Sequence, residues 1–270
     1  MVGEHAIHNM KVILLKDAVV PITLRAVQFG FSTYEALRII EGKVVHLDDH
    51  LNRLEHSCKG IGLVHPFSQE EIERAVYQLI EVDEIERASL RIQIYGGDDP
   101  QLFVTATTIL SYPESYYTKG VGAISYHGER LFPSCKTGNL LLNYLAVEEA
   151  KRQTCFEALL VDRTGRVLEG TRSNFFALKE NSLYTAADDE VLLGITRDRV
   201  LKAASLLGLS IVYEAPTLSD LASGVYEQAF ISATSMAAMP LASLDGRPFN
   251  DPFPKILAIR DLVRGWELQD

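Results

Sequence analysis

Residues 169–197 contain the most informative stretch of this chain. It reads Glu169-Gly170-Thr171-Arg172-Ser173-Asn174-Phe175-Phe176, then Leu183-Tyr184-Thr185, then Leu192-Leu193-Gly194-Ile195-Thr196-Arg197. The first piece predicts a strand that ends in a carboxylate, a small polar cluster and a second apolar strand. The last piece predicts a helix that begins after a glycine. An acid at one end and helix amides at the other suit a phosphorylated heteroaromatic cation.

Two parts of this stretch indicate how such a ligand would be held. Glu169 ends its predicted strand, so its side chain is expected to project into a pocket and pair with a protonated ring nitrogen. Gly194 gives a flexible approach, and Thr196 offers a hydroxyl at a favourable N-cap position beside unpaired amides. Each feature is ordinary by itself, because turn carboxylates are usually solvated and Thr196 could simply cap its own helix.

Three further segments add candidates for the same chemistry. Arg53 lies on the helix predicted over 46–60, and a planar guanidinium suits phosphate oxygens. The small-residue turn at 233–240 offers amides that could bind a second anion. Pyridoxal phosphate chemistry also needs a lysine, and Lys136 lies in Cys135-Lys136-Thr137-Gly138-Asn139. Composition alone does not select Lys136 from the other lysines.

The spaced pattern at 169–197 resembles the signature of the class IV aminotransferases, the fold-type IV pyridoxal phosphate enzymes. Other segments resemble the same family: 25–35 with its Phe-Gly and Tyr-Glu pairs, 46–54, 136–139 and 233–240. The resemblance implies an enzyme of α/β class (α+β type), with two domains and pyridoxal 5'-phosphate in the interdomain cleft. It also implies a homodimer.

The resemblance further implies roles for individual residues. Lys136 would form the Schiff base and move the proton, and Glu169 would pair with the pyridinium nitrogen. The remaining cofactor contacts would be Arg53, Ile195, Thr196 and Thr234 at the phosphate and Leu192 on the ring face. The substrate contacts would be Tyr34, Arg91 and the backbone amides of Ser235 and Met236.

Two reactions stay open within the family. An aminotransferase would act on an amino acid, of branched-chain L or D type, and a 2-oxo acid; a 4-amino-4-deoxychorismate lyase would release pyruvate and 4-aminobenzoate. The strand at 89–95 is followed by Gly96-Gly97 rather than by the arginine and glycine typical of D-amino acid enzymes and many lyases. Arg91 resembles the branched-chain pattern, whereas Leu141 stands where those enzymes usually carry tyrosine. We favour the aminotransferase.

Composition limits the possible partners and the compartment. The 270 residues are 47% hydrophobic and carry a formal net charge of −10, which disfavours binding to nucleic acid. No run approaches a membrane span, and the first residues do not form a signal peptide pattern. Three cysteines without a close pair indicate neither a disulfide framework nor a metal site. We therefore expect a cytoplasmic enzyme with small-molecule substrates, no bound metal and no membrane or nucleic-acid partner.

Turn residues without periodicity at 111–120 predict a domain boundary. The predicted division is an N-terminal domain over 1–114, a linker over 115–121 and a C-terminal domain over 122–270 that carries Lys136 and Glu169. Within the first domain, Ser68-Gln69-Glu70-Glu71 predicts a capped helix running to about Val82. In the second domain, a helix is predicted over 140–154, with one face formed by Leu141, Tyr144, Leu145, Ala146, Glu148 and Lys151.

Overall fold

The computed structural model describes residues 2–267. Contacts along the chain divide it into two units, each with its own sheet and its own apolar core. The first unit comprises residues 2–110 and Cys135–Asn139, and the second comprises Ser111–Ser134 and 140–267.

The first unit contains a six-stranded antiparallel sheet. Its strands are β1 (His5–His8), β2 (Lys11–Leu14), β3 (Ser32–Ile40), β4 (Lys43–Val44), β5 (Arg87–Tyr95) and β6 (Gln101–Thr107), in the order β2-β1-β6-β5-β3-β4. β3 and β5 pair over their full nine-residue length, from Ser32 opposite Tyr95 to Ile40 opposite Arg87. The β3–β4 turn places Glu41 and Gly42 at positive φ, as a tight hairpin requires.

Three helices complete the first unit: α1 (Arg25–Phe29), α2 (Leu47–Gly60) and α3 (Gln69–Val82). α3 begins with the predicted capping box, in which Ser68 and Glu71 each bond the other's backbone amide. Its apolar face and that of α2 pack with the sheet in one core, which includes Leu51, Leu79 and Ile92. The helix predicted over 46–60 is confirmed, and it positions Arg53.

The second unit is built on a nine-stranded sheet. Its strands are β7 (Val121–His127), β8 (Glu157–Val161), β9 (Val167–Gly170), β10 (Asn174–Lys179), β11 (Ser182–Thr185), β12 (Ser210–Tyr213), β13 (Gln228–Ala233), β14 (Ala237–Leu244) and β15 (Arg247–Pro248). Six of these close on themselves in the order β10-β13-β14-β7-β8-β9 and back to β10. The closing pair joins Asn174 to Glu169.

The helices of the second unit are α4 (Glu114–Lys119), α5 (Leu141–Arg152), α6 (Ile195–Leu206), α7 (Leu218–Ser223) and α8 (Pro254–Glu267). α5 connects the parallel strands β7 and β8, and α8 packs on β14 and α6. Within the core, the rings of Phe176 and Phe230 stack with centroids 4.8 Å apart. No helix in residues 2–267 combines the length and the apolar content needed to cross a lipid bilayer.

The structure differs from the predicted domain division in two places. The predicted linker over 115–121 is largely helix α4, which belongs to the second unit and buries Tyr117 there. The segment Cys135–Asn139, assigned by sequence to the C-terminal domain, belongs to the first unit because Thr137 forms a β-bridge with Thr33 of β3. Lys136 therefore belongs to the first unit, whereas Glu169 belongs to the second.

The predicted apolar face of α5 is wrong except at Ala146, which is buried. Leu141, Tyr144 and Leu145 are 66%, 62% and 47% exposed, and the buried side of the helix consists of Asn143, Ala146 and Ala150. Small side chains let the α5 backbone approach the sheet closely, and the large apolar ones are left outside.

Candidate active site

The lysine segment is fixed by hydrogen bonds to the first unit. The Lys136 amide donates to Ser57 Oγ on α2 at 2.9 Å, and the Lys136 carbonyl oxygen accepts from the Tyr34 amide at 3.0 Å. Ser57 Oγ itself donates to the Arg53 carbonyl oxygen at 2.8 Å. The backbone amide of Lys136 is thus bound to a helix and its carbonyl oxygen to a strand. These two bonds restrict the positions that the Lys136 side chain can reach.

Two cationic side chains lie over the ring of Tyr34. Lys136 Nζ is 4.6 Å from the ring centroid, and Arg91 Cζ is 4.0 Å from it. Arg91 also donates through Nε and Nη2 to Gln93 Oε1, at 2.9 and 2.6 Å. Within residues 2–267, Arg91 makes no ion pair. The structure thus brings together Tyr34, Arg91 and Lys136, and it adds Gln93, which the sequence did not single out.

Arg53 is part of a buried ionic cluster. Its Nε and Nη2 donate to the two carboxylate oxygens of Glu35, each at 2.7 Å, and His50 Nδ1 is 2.7 Å from Glu35 Oε2. Burial alone would raise the pKa of Glu35, but the Arg53 guanidinium and the hydrogen bonds from Arg53 and His50 bring it down to about 2. Burial lowers the pKa of His50, so that ring is neutral at pH 7.

This cluster qualifies the predicted phosphate role of Arg53. Its Nε and Nη2 are committed to Glu35, so a phosphate at Arg53 would share the guanidinium with a carboxylate. Glu35 fixes the guanidinium orientation in return. The sequence signal for this partner was present, because Glu35 directly follows Tyr34 in the motif.

In the second unit, Glu169 is buried in β9, with only 7% of its side chain exposed. Arg130 Nη1 donates to Glu169 Oε1 at 3.3 Å and to the Pro133 carbonyl oxygen at 2.9 Å. The Leu192 amide lies 3.4 Å from Glu169 Oε2. Glu169 is therefore not a solvated turn carboxylate. No local pattern distinguishes Arg130 from other arginines, and the sequence missed it.

A second buried acid supports the turn after Glu169. Glu157 is fully buried on β8 and accepts from the amide and hydroxyl of Thr171 and, at 3.0 Å, from Ser173 Oγ. A Cβ at Gly170 would stand 2.2 Å from Ser173 Oγ, so only glycine fits there. These contacts fix the turn between β9 and β10, the two strands in which Glu169 pairs with Asn174.

The beginning of α6 fits a phosphate group. The N-cap is Gly194, not Thr196 as predicted, and no side chain caps the helix; Thr196 lies buried in its first turn. Asn174 Nδ2 donates to the Leu192 carbonyl oxygen at 2.8 Å, and a Cβ at Gly194 would stand 2.3 Å from Asn174 Oδ1. The first amides of a 12-residue helix, without a side-chain cap, are suitable donors to an anion.

The turn predicted over 233–240 is shorter in the structure. β13 ends at Ala233 and β14 begins at Ala237, so the loop between them is Thr234, Ser235 and Met236. The Met236 amide donates to the Ala233 carbonyl oxygen at 3.0 Å. It is thus used within the turn, which corrects the expectation that it receives a substrate carboxylate.

Comparison with known proteins decides the family. A family model described as amino-transferase class IV matches residues 32–244. The chain belongs to the class IV aminotransferases. It is therefore an enzyme, and its cofactor is pyridoxal 5'-phosphate (PLP).

Individual relatives agree with this family. The chain is 32% identical over 258 residues to a D-alanine aminotransferase of Bacillus licheniformis, covering 91% of this chain and 90% of the relative. It is 30% identical over 260 residues to a putative branched-chain-amino-acid aminotransferase of Methanocaldococcus jannaschii, covering 90% and 88%. These two substrate classes are those that the sequence left open for an aminotransferase.

Solved structures agree in fold. The Escherichia coli branched-chain amino acid aminotransferase superposes with a TM-score of 0.90 at 24% identity, over 97% of this chain and 94% of that one. A hypothetical aminotransferase from Mycobacterium tuberculosis in its PLP-bound form superposes with a TM-score of 0.84 at 21% identity, over 98% and 99%. The mixed α/β fold of type IV is thereby confirmed.

Proposed function

We propose that this class IV enzyme moves an amino group between an amino acid and a 2-oxo acid, with Lys136 as the amine that holds the cofactor and transfers the proton. The position of Lys136 supports this most directly, since its peptide is held on both sides and its Nζ lies over Tyr34. PLP, when bound, withdraws electrons from the substrate Cα so that its proton can leave. Lys136 Nζ is the base that takes this proton.

The other cofactor contacts follow from charge and donor geometry. We assign the ring-nitrogen partner to Glu169, whose carboxylate is buried and already accepts a hydrogen bond from the Arg130 guanidinium. The phosphate is assigned to the amides of the α6 N-terminus with Ile195 and Thr196, and to Arg53 and Thr234. Leu192 is assigned to the ring face.

Arg91 is the proposed site for a substrate carboxylate. Its partner Gln93 is neutral, so the guanidinium keeps its full positive charge while its orientation is fixed. A dicarboxylic pair such as glutamate and 2-oxoglutarate would use this cation, with Tyr34 beside it and the Ser235 amide at the other carboxylate. Replacing Arg91 by Gln should raise the KM for glutamate by about tenfold or more while leaving the PLP affinity unchanged.

The experiment that tests the function follows the visible absorption of the PLP-loaded protein during separate additions of D-alanine, D-glutamate, L-glutamate and L-leucine. Loss of the cofactor band with the D-amino acids indicates a D-amino acid aminotransferase, and loss with the L-amino acids indicates the branched-chain type. A band that survives every donor, together with pyruvate release from aminodeoxychorismate, would refute the aminotransferase proposal and establish the lyase.

We further propose a homodimer in the cytoplasm. Five large apolar side chains are exposed within 131–145: Leu131, Phe132, Leu141, Tyr144 and Leu145. Exposed apolar groups of this kind are typical of protein interfaces. The three cysteines are free thiols, which suits a reducing compartment. Light scattering on the purified protein tests the dimer, and a monomer at micromolar concentration would contradict it.

A further inference from the structure

The loop Thr234–Met236 is held from behind by side chains of two helices. Arg264 of α8 donates through Nη1 to the Thr234 carbonyl oxygen at 3.3 Å and through Nη2 to the Ser235 carbonyl oxygen at 2.8 Å. Tyr117 of α4 donates its hydroxyl to the Met236 carbonyl oxygen at 3.2 Å. Three consecutive carbonyl groups therefore accept hydrogen bonds from this group of side chains.

This arrangement determines where the loop amides point. In a trans peptide, the carbonyl oxygen of one residue and the amide hydrogen of the next point in opposite directions. Because the Thr234 carbonyl points to Arg264, the Ser235 N–H points away from Arg264. The Ser235 carbonyl also points to Arg264, and the Met236 N–H accordingly donates to Ala233 on the other side.

The chemistry of Arg264 suits this task. One guanidinium contacts two successive carbonyl oxygens, which a lysine ammonium cannot match with the same planar fork. Glu267 pairs with Arg264 Nη1 at 2.6 Å and keeps the side chain in place. Tyr112 adds a contact of 3.4 Å to Ser235 Oγ.

We propose that Arg264 is a positioning residue, which orients the 234–236 peptides so that the Ser235 amide is presented to an anion of the active site. The anion is either the cofactor phosphate or the substrate carboxylate. This inference rests on the proposed function, which places Thr234 and Ser235 at those groups. Nothing in the local sequence of α8 indicates the role.

The test compares wild type with Arg264→Gln, Arg264→Lys and Tyr117→Phe. The dissociation constants of the apoenzyme for PLP and for pyridoxal, which lacks the phosphate, are measured by fluorescence titration. The KM and kcat for the amino donor follow with saturating PLP. Lys255→Gln is the matched control on the same helix, because Lys255 Nζ donates to the Glu180 carbonyl oxygen and not to the loop. Thermal unfolding of each apoprotein checks folding.

If the anion is the phosphate, Arg264→Gln should weaken PLP binding by roughly tenfold and change pyridoxal binding by less than about twofold. If it is the substrate carboxylate, the KM should rise by a similar factor while kcat is unchanged. Tyr117→Phe keeps its ring and loses one bond, so it should give the same effect at about threefold, and Arg264→Lys should recover part of the loss.

The inference is overturned if Arg264→Gln and Tyr117→Phe, both folded, keep the wild-type preference for PLP over pyridoxal and the wild-type KM. It is also overturned if Lys255→Gln shows the same loss as Arg264→Gln. Failure of the proposed function has a different signature, since the cofactor band of the wild type itself would then be unchanged by every amino donor.

Discussion

Glu35→Gln is the substitution whose effect the structure defines most closely. The change keeps the shape of a fully buried side chain and removes its charge, so Arg53 and His50 lose their shared carboxylate. A buried guanidinium without its counterion is costly. We expect a folded but destabilised protein.

The magnitude follows from the pKa of Glu35. The carboxyl has a pKa of about 2 in the folded protein, where Arg53 and His50 outweigh the effect of burial, against an ordinary value of 4.5. A difference of this size corresponds to about 3 kcal/mol of stability at pH 7. Because the folded pKa is the lower one, this contribution is complete well above pH 4.5 and is lost as the pH falls from 4.5 towards 2.

Urea unfolding of the apoprotein at pH 7 measures the effect. Glu35→Gln should lower the free energy of unfolding by about 3 kcal/mol, and Glu35→Leu combined with Arg53→Met should recover much of that loss. The matched control is Glu55→Gln on α2, the helix that carries Arg53. It breaks the exposed pair with Lys59 and the longer contact with His65, and it should cost less than about 1 kcal/mol.

The pH dependence gives a second, independent test. Measured against the wild type at each pH, the cost of Glu35→Gln should shrink from about 3 kcal/mol at pH 7 to about 2 kcal/mol at pH 3.5. A loss below about 1 kcal/mol at pH 7, or a cost that stays constant with pH, would refute the reasoning.

Three further predictions concern the cofactor site. Lys136→Ala should reduce kcat by about 10⁴-fold or more while the protein still binds PLP, and turnover near the wild-type rate would remove the lysine assignment. Arg130→Met should lower the free energy of unfolding of the apoprotein by about 2 kcal/mol, because Glu169 loses its guanidinium partner. The loss should be smaller in the PLP-loaded protein, where the ring cation can replace that partner. Equal losses with and without PLP would contradict this prediction. Gly194→Ala should lower the free energy of unfolding by about 1–3 kcal/mol, because the new Cβ would stand 2.3 Å from Asn174 Oδ1. Gly265→Ala in α8 is the control, since its Cβ meets open space and should raise the free energy of unfolding by about 0.5–1 kcal/mol. Thermal unfolding of both variants measures the difference.

The sequence predicted those features whose cause lies within a few neighbouring residues. The capping box at Ser68 and Glu71 begins a helix because the two side chains bond each other's amides across one turn. The motif at 169–197 predicted the family, and the match to the family model confirms it. The residue types and spacing of this motif lie along one short stretch of the chain.

Other features depended on residues that are distant in the chain. Gln93 lies near the lysine segment only because β3 and β5 pair, and Arg130 reaches Glu169 across 39 residues. The capping position went to Gly194 instead of Thr196, because Asn174 from another strand occupies the space beside it.

The sequence by itself thus determined the family and the helices α2, α3 and α5, and it nominated the candidate residues, because periodicity, capping and motif spacing are local properties. Only the tertiary structure decided which charges are paired, as with Arg53 on Glu35, and that Lys136 belongs to the first unit. It also decided that α5 turns Asn143 inward and Tyr144 outward. The physical reason is that burial and ionic pairing are set by strand register and helix packing, which bring together segments whose separation along the chain carries no information about their contact.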